Sequence, residues 1–307
     1  MISIALASYN GSKYIREQLD SILMQTYQDF ELIICDDCST DNTWQILEEY
    51  AQKDCRIKIF KNENNLGFKK NFEKAISLCN GEYIATSDQD DIWDKEHLGL
   101  LKEIIKNDVA AAGEALLVNE NGKSLNRFMT KDVSGYEIDV DSVRKLSHLL
   151  FCSNPFSGAV SMFKKEVFYV ALPVPEECSF QDTWFTACAL CMGNLNFTQR
   201  VVTFHRLHGD NQSGAQKSSF WNKLKNTFLK DFYTDRIDYC IRLEQRFPNL
   251  SLDKANAIAF GNEYLTARKN KKKIKAIKML INNYSNMFAS DSKWKLFLRC
   301  MQILVRN

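Results

Sequence analysis

The chain has 307 residues, 45% hydrophobic and 25% charged, with a net charge of +2, which suits a globular protein able to bury a sizeable core and gives no reason to expect a nucleic-acid partner. No stretch approaches the ~18 uninterrupted apolar residues of a membrane-spanning helix, and 10 cysteines without a secretory signal point to reduced thiols and a cytoplasmic setting, with the inner membrane face as a variant of it. The charge is uneven: from Ala215 onward there are 19 Lys and Arg against 7 Asp and Glu, so an acidic body (1–214) precedes a basic extension (215–307).

Ile2–Ala7 reads as a buried strand, followed after Asn10-Gly11 by a helix with Ile15, Leu19, Ile22 and Leu23 at helical spacing. Phe30–Cys35 is a second strand ending in Asp36-Asp37, and Ser39-Thr40-Asp41 offers N-caps to a helix whose inner face is Trp44, Leu47, Tyr50 and Ala51. A third strand spans Ile57–Phe60. Asn65-Leu66-Gly67 then turns into a helix with Phe68, Phe72, Ala75, Ile76 and Cys79 inside, stopped at Asn80-Gly81. Glu82–Thr86 is the fourth strand, and Asp94 is placed to cap a helix with Leu98, Leu101, Ile104 and Ile105 inside. Strand and helix alternating three times before a fourth strand predict right-handed crossovers: an α/β fold with a mostly parallel sheet flanked by helices.

In the second half of the body, Val109–Val118 reads as a strand, 123–139 as an irregular surface loop or flap, and Asp141–Leu150 as a helix. Ala159–Phe163 reads as a strand, a helix starts at Gln181-Asp182-Thr183-Trp184, and Val201–Phe204 is the last strand. From Lys217 the pattern is helical, with a basic run over Lys269–Lys275 and a basic amphipathic segment, Lys293–Val305, suited either to helix packing and self-association or to an anionic membrane surface.

The chemistry concentrates in Ser87-Asp88-Gln89-Asp90-Asp91-Ile92-Trp93. Carboxylates this close repel one another unless a cation sits between them, and oxygen ligands suit magnesium or manganese with positions left for phosphate oxygens. The alternative is a solvated turn leading into the next helix. Ligands of open α/β sheets bind beyond the carboxyl ends of the strands, which gathers Tyr9-Asn10, Asp36-Asp37 and Asp88–Asp91 around one crevice. Cys35/Cys38 and Cys188/Cys191 have C-x-x-C spacing but no histidine pair beside them, so packing is the expected role.

Ala7-Ser8-Tyr9-Asn10, Ile34–Asp41, Asn65-Leu66-Gly67, Asp88-Gln89-Asp90-Asp91, Phe156-Ser157-Gly158, Asp182 with Trp184, and Arg206–Asn211 together resemble the inverting family 2 glycosyltransferases of GT-A fold over roughly residues 1–214. The form of the acidic stretch and the His208 region are most similar to the bacterial branch that contains rhamnosyltransferases and related enzymes of polysaccharide and glycoprotein pathways.

The resemblance implies a nucleotide-binding half (1–105), an acceptor-binding half (106–214) and a helical extension (215–307). It implies a UDP- or dTDP-sugar donor, Mn2+ or Mg2+, and a glycan, lipid-linked glycan or glycoprotein acceptor. On the donor side it points to Tyr9 and Asp36 at the base, with Asn10, Asn65, Gly67, Lys70, Asp88, Asp90 and Arg206 nearby. Asp90 and His208 would hold the metal. On the acceptor side it points to Asp91, Trp93, Ser157, Gly158 and Trp184, with Asp182 as general base, preceded here by Gln181 rather than an acid. Plainer roles stay open: Tyr9 as a core aromatic, Asp36 and Asp182 as helix-terminal groups, Lys70 on a solvated face, His208 as a structural histidine. Rival readings are a sugar nucleotidyltransferase, which needs a glycine-rich basic loop that Tyr9-Asn10-Gly11-Ser12-Lys13 does not supply, and a non-catalytic nucleotide-sugar-binding protein of the same fold.

Overall fold

The computed structural model describes residues 1–130, 142–151, 154–209 and 234–288, with single positions at 296, 300 and 303. The chain divides into two compact units: residues 1–133, 155–174 and 180–211 form the first; 134–154, 175–179 and 212–307 form the second.

The first unit is built on a nine-stranded sheet. Strands β1 (Ile2–Ser8), β2 (Phe30–Asp36), β3 (Ile57–Lys61) and β4 (Tyr83–Ser87) lie in the order 3-2-1-4, all parallel. β1 and β2 are buried along almost their whole length because helices cover both faces, which is why they read as continuous apolar runs. Helices α1 (Ile15–Leu23), α2 (Thr43–Lys53) and α3 (Phe68–Ser77) make the crossovers. The register pairs Ser8 with Asp36 and Leu6 with Ser87, so the loops after β1, β2 and β4 leave from one edge.

The sheet continues with a two-residue strand β5 (Ile92–Trp93), helix α4 (His97–Ile105), β6 (Ala110–Asn119), β7 (Ser124–Phe128), β8 (Ser161–Lys164), helices α6 (Lys165–Ala171) and α7 (Gln181–Met192), and β9 (Leu195–Leu207), α5 belonging to the second unit. Here the pairing is mixed: β8 is antiparallel to β4 and β6, β9 is parallel to β6, and β5 is antiparallel to β9.

Several expectations change. Part of the supposed 123–139 loop is β7, an edge strand of alternating exposure whose polar sequence carries no core pattern; 131–141 lie outside the described residues. Gly158–Val160 is a 3-10 turn rather than the start of a strand. In α2 the buried face is Thr43, Ile46, Leu47 and Tyr50, while Trp44 is half-buried with the Lys61 ammonium 5.2 Å from its ring centroid. α4 starts three residues after Asp94, whose carboxylate accepts Glu96 N–H and whose carbonyl accepts His97 N–H. No disulfide joins the described cysteines.

The second unit contains α5 (Ser142–Phe151), α8 (Thr234–Arg246), α9 (Leu252–Lys269) and α10 (Lys273–Phe288). α5 packs on α9 and α10, and α8 on α9, around Tyr239, Leu243, Ile258, Tyr264, Leu265 and Leu280. Phe220, Trp221, Phe228 and Phe232, and nearly all of the 293–305 segment, lie outside the described residues. No described helix is long and apolar enough to cross a membrane.

Candidate active site

At the end of β1 the Tyr9 ring is 47% exposed. Its backbone is pinned instead: Gln89 Oε1 accepts Tyr9 N–H and Gln89 Nε2 donates to Tyr9 C=O, both at 2.9 Å. Gly11 makes this possible, since a Cβ there would come within 2.2 Å of Gln89 Oε1. Asn10, at φ 48°, accepts Thr40 N–H through Oδ1 and donates its own N–H to Ser39 Oγ. The loops after β1 and β2 are thus locked together beneath an open aromatic face.

Asp36 is fully buried. Its carboxylate accepts Ser8 Oγ–H at 3.0 Å, Ser39 Oγ–H at 2.5 Å and Ser39 N–H at 2.9 Å, which leaves room for about one further donor. Asp37 shapes the opposite rim by accepting Asn62 Nδ2–H and the N–H groups of Leu66 and Gly67. Gly67, at φ 78°, is the residue from which α3 departs, and Asn65 ties the same turn to Asp37 C=O. Lys70 pairs with Glu73 on the exposed face of α3, so its charge is spent within its own helix.

The acidic stretch divides by environment. Asp91 has no exposed side-chain surface; it holds His205 Nδ1 at 2.9 Å and accepts Arg206 N–H at 3.0 Å, tying β5 to β9. Asp90 meets His208 Nε2 at 2.8 Å. Among the described residues nothing donates to the Asp88 carboxylate.

Burial pushes the Asp88 carboxyl well above its ordinary range, and the charges of Asp91, Asp90 and Asp182 push the same way against a smaller pull from His205. Asp90 is raised by burial and by Asp91, opposed by its bond to His208. Burial disfavours charge on His205, but Asp91 outweighs it and its imidazole is pushed up to about 9, with Nε2 left without a partner among the described residues. The cluster therefore contains more negative charge than the protein balances.

Facing it is the start of α7. The Asp182 carboxylate accepts Thr183 N–H at 2.5 Å and lies 3.4 Å from Gly158 N. Asp88, Gly158, Gln181 and Asp182 line one cleft with Phe72, Thr86, Ser87 and Phe185. Gly158 must be glycine here, because a Cβ would meet Thr86 Oγ1 at 2.8 Å. The buried Ser157 Oγ and Gln181 Oε1 have no partner among the described residues.

Four sequence-derived assignments are corrected. Arg206 is turned away from the donor side: its fully buried guanidinium donates to Asp90 C=O, Glu120 C=O and Glu17 Oε2 and lies 4.7 Å from the Tyr14 ring centroid. Asp91 is closed to an acceptor by His205 and Arg206. Trp93 is buried and stacks on His97 at 3.8 Å. Trp184 is buried, its Nε1–H donating to Ala171 C=O at 2.7 Å. In each case a residue near the motif in sequence is turned into the fold by period-2 or helical geometry. Gly11 and His205 were missed as braces, while Asp37 and Gln89 were placed at the crevice by their strand ends without their bracing role being foreseen.

Among the described residues no three His, Cys, Asp or Glu side chains converge as a complete ligand set. Asp90 and His208, already 2.8 Å apart, do fit two positions of a divalent ion. Magnesium-type sites commonly take only one or two protein ligands and complete their shell with phosphate and water.

A parallel 3-2-1-4 sheet, carboxylates at its carboxyl edge and a second acidic wall on a helix start define a GT-A glycosyltransferase fold. The family model for glycosyl transferase family 2 matches residues 3–168. An uncharacterised glycosyltransferase of Haemophilus influenzae is 30% identical over 255 residues, 78% of this chain and 74% of that one. Among solved structures, Staphylococcus aureus TarS 1-349 in complex with UDP-GlcNAc matches with TM-score 0.62 and 21% identity, over 93% of this chain and 81% of that one. The mannosyltransferase PcManGT of Pyrobaculum calidifontis, in complex with GDP-Man and Mn2+, matches with TM-score 0.56 and 17% identity, over 99% and 79%. The chain belongs to glycosyl transferase family 2 and is a glycosyltransferase.

Proposed function

We propose that the protein moves a sugar from a UDP- or dTDP-sugar to a hydroxyl of a glycan, lipid-linked glycan or glycoprotein acceptor, inverting the anomeric carbon in a single displacement. The observation that carries this reading is the cleft shared by Asp88 and Asp182, one from the end of β4 and the other from the start of α7. A donor held on one wall and a base on the other is the arrangement that displacement with inversion needs.

In this reading the exposed Tyr9 ring stacks on the base, and Asp36, placed beneath it by Ser8 and Ser39, offers its remaining acceptor site to a base N–H. The turn through Asn65 and Gly67 borders the nucleotide, and Asp88 borders the ribose. Asp90 and His208 are the residues that hold Mn2+ or Mg2+, an assignment in keeping with the Mn2+ named for PcManGT. When bound, the ion supplies positive charge against the diphosphate of the leaving nucleotide. Asp182 takes the proton of the acceptor hydroxyl, Gly158 lets the sugar approach the backbone, and Ser157 and Gln181 supply hydrogen bonds to substrate hydroxyls.

TarS and PcManGT are named with different nucleotides and sugars, so the rhamnosyl branch is a matter for a donor screen. The reading is tested by incubating the protein with UDP-, dTDP- and GDP-sugars, Mn2+ and a panel of glycan acceptors, and determining the new linkage by NMR. Transfer with inverted configuration is expected; a product with the donor's configuration would overturn the mechanism.

A further inference from the structure

The second unit carries a strongly basic surface apart from the cleft of the first unit in sequence. Between Glu263 and Asp291 the chain carries Arg268, Lys269, Lys271, Lys272, Lys273, Lys275 and Lys278 and no acidic residue; Lys275 pairs back with Glu263 at 2.7 Å. The turn joining α9 to α10 concentrates them. Asn270 N–H bonds to Thr266 C=O, and Lys272 N–H reaches back to Ala267 C=O at 2.8 Å, which closes the helix end and sets Lys269, Lys271 and Lys272 in solvent.

Lys271 sits in the left-handed region at φ 55°, the position where glycine or asparagine ordinarily ends a helix. A cation at this helix end is favoured by the helix dipole, but that accounts for one charge and not for the run of lysines around it. The charge is the feature left to explain.

α10 continues the surface. Ala276 and Leu280 are its buried side, whereas Ile274 is 73% exposed and Ile281 53% exposed, with the exposed Lys278 between them. Positions 274, 278 and 281 follow i, i+4, i+7 spacing and lie along one face. Two outward isoleucines on a helix flanked by lysines serve neither the core nor solubility. Lysines alone suit any polyanion; isoleucines set among them suit a surface that is both anionic and apolar just beneath its charge.

We propose that the α9–α10 turn and the outward face of α10 form a docking surface for an anionic lipid bilayer, with lysines on the headgroup phosphates and Ile274 and Ile281 entering the acyl boundary. The surface lies at residues 269–281, apart in sequence from the basic 293–305 segment, which falls almost wholly outside the described residues. It does not rest on the sugar-transfer reading, since vesicle binding and donor binding are read separately.

The test is co-sedimentation of the full chain with vesicles of phosphatidylcholine alone and of phosphatidylcholine with one-third phosphatidylglycerol, at low and high salt. Binding is expected only with phosphatidylglycerol and falls with salt. Changing Lys269, Lys271, Lys272 and Lys278 together to Gln weakens it by about a hundredfold or more. Ile274→Ser with Ile281→Ser weakens it by about tenfold. Both variants keep the wild-type circular dichroism and nucleotide-sugar affinity.

Absence of binding to phosphatidylglycerol vesicles, or equal binding to both compositions, would overturn the proposal. So would a serine variant that binds like wild type while the glutamine variant does not, because that pattern marks a surface for a soluble polyanion.

Discussion

Two acidic places on the same sheet, one buried and one half-buried, are built to opposite plans. Glu31, near the amino end of β2, is almost completely enclosed, yet its carboxylate accepts Ser3 Oγ–H and Asn80 N–H at 2.7 Å each and pairs with Lys58 at 2.8 Å. Burial alone would raise its pKa, but these partners outweigh it and bring it down to about 2. Asp88 and Asp90, at the carboxyl edge, are raised instead, because burial and neighbouring carboxylates are not matched by donors. Glu31 arrives with its partners, whereas Asp88 and Asp90 are left with more like charge than donors, the imbalance that the proposed cation would relieve.

The sharpest break in this contrast is at the far wall of the cleft. Asp182→Asn keeps the shape of the α7 start but removes the proposed base, and transfer is expected to fall by about 10²–10⁴-fold with donor affinity, measured by calorimetry, unchanged. Loss of donor binding instead would make Asp182 a positioning group.

The next effects are on stability. His205→Gln takes away the partner of a fully buried Asp91 and costs about 3 kcal/mol in urea denaturation. It also changes the pH profile. The folded pKa of His205, about 9, lies above its ordinary 6.5, so its contribution is complete below 6.5 and is lost as pH rises through 9; the variant lacks this alkaline loss. Glu31→Gln is expected to cost about 2 kcal/mol through its buried donors. Its sign is reversed: the folded pKa, about 2, is below 4.5, so wild type gains this stability above 4.5 and loses it as pH falls toward 2, while the variant is flatter there.

The smallest expected change is the most telling. Asp88→Asn, in protein kept without divalent ions at pH 7, leaves stability unchanged or raises it by up to about 1 kcal/mol, because it removes a carboxylate whose charged form burial and its acidic neighbours disfavour. A large destabilisation would mean that Asp88 serves the fold after all.

The 3-2-1-4 half of the sheet was legible because β1, β2 and β4 are largely buried runs closed by Asn or Asp, and each crossover helix shows its inner stripe. β7 was not, since an edge strand such as Ser124–Phe128 buries too little to impose alternation. At the site, the position of Tyr9, Asp36 and Asp88–Asp91 at one edge was legible from the strand ends, whereas Gly158, Asp182 and His208 were singled out through the family resemblance. Arg206, Asp91, Trp93 and Trp184 were read as pocket residues because a sequence shows proximity to a motif but not the direction a side chain takes. Arg206 finds Glu17, 189 residues away, only once β9 lies beside β5. His205 illustrates the reverse case, a residue whose importance lies in what it touches and not in any motif.

The central claim, that the carboxyl edge of the sheet awaits a cation and a nucleotide diphosphate together, is tested most directly by calorimetric titration of UDP and of dTDP into wild type and Asp90→Asn, with and without Mn2+. Mn2+ is expected to tighten nucleotide binding to wild type by about tenfold or more, roughly 1.4 kcal/mol, and to leave the variant's affinity nearly unchanged. An Asp90→Asn protein that keeps the full enhancement by Mn2+ would contradict the account.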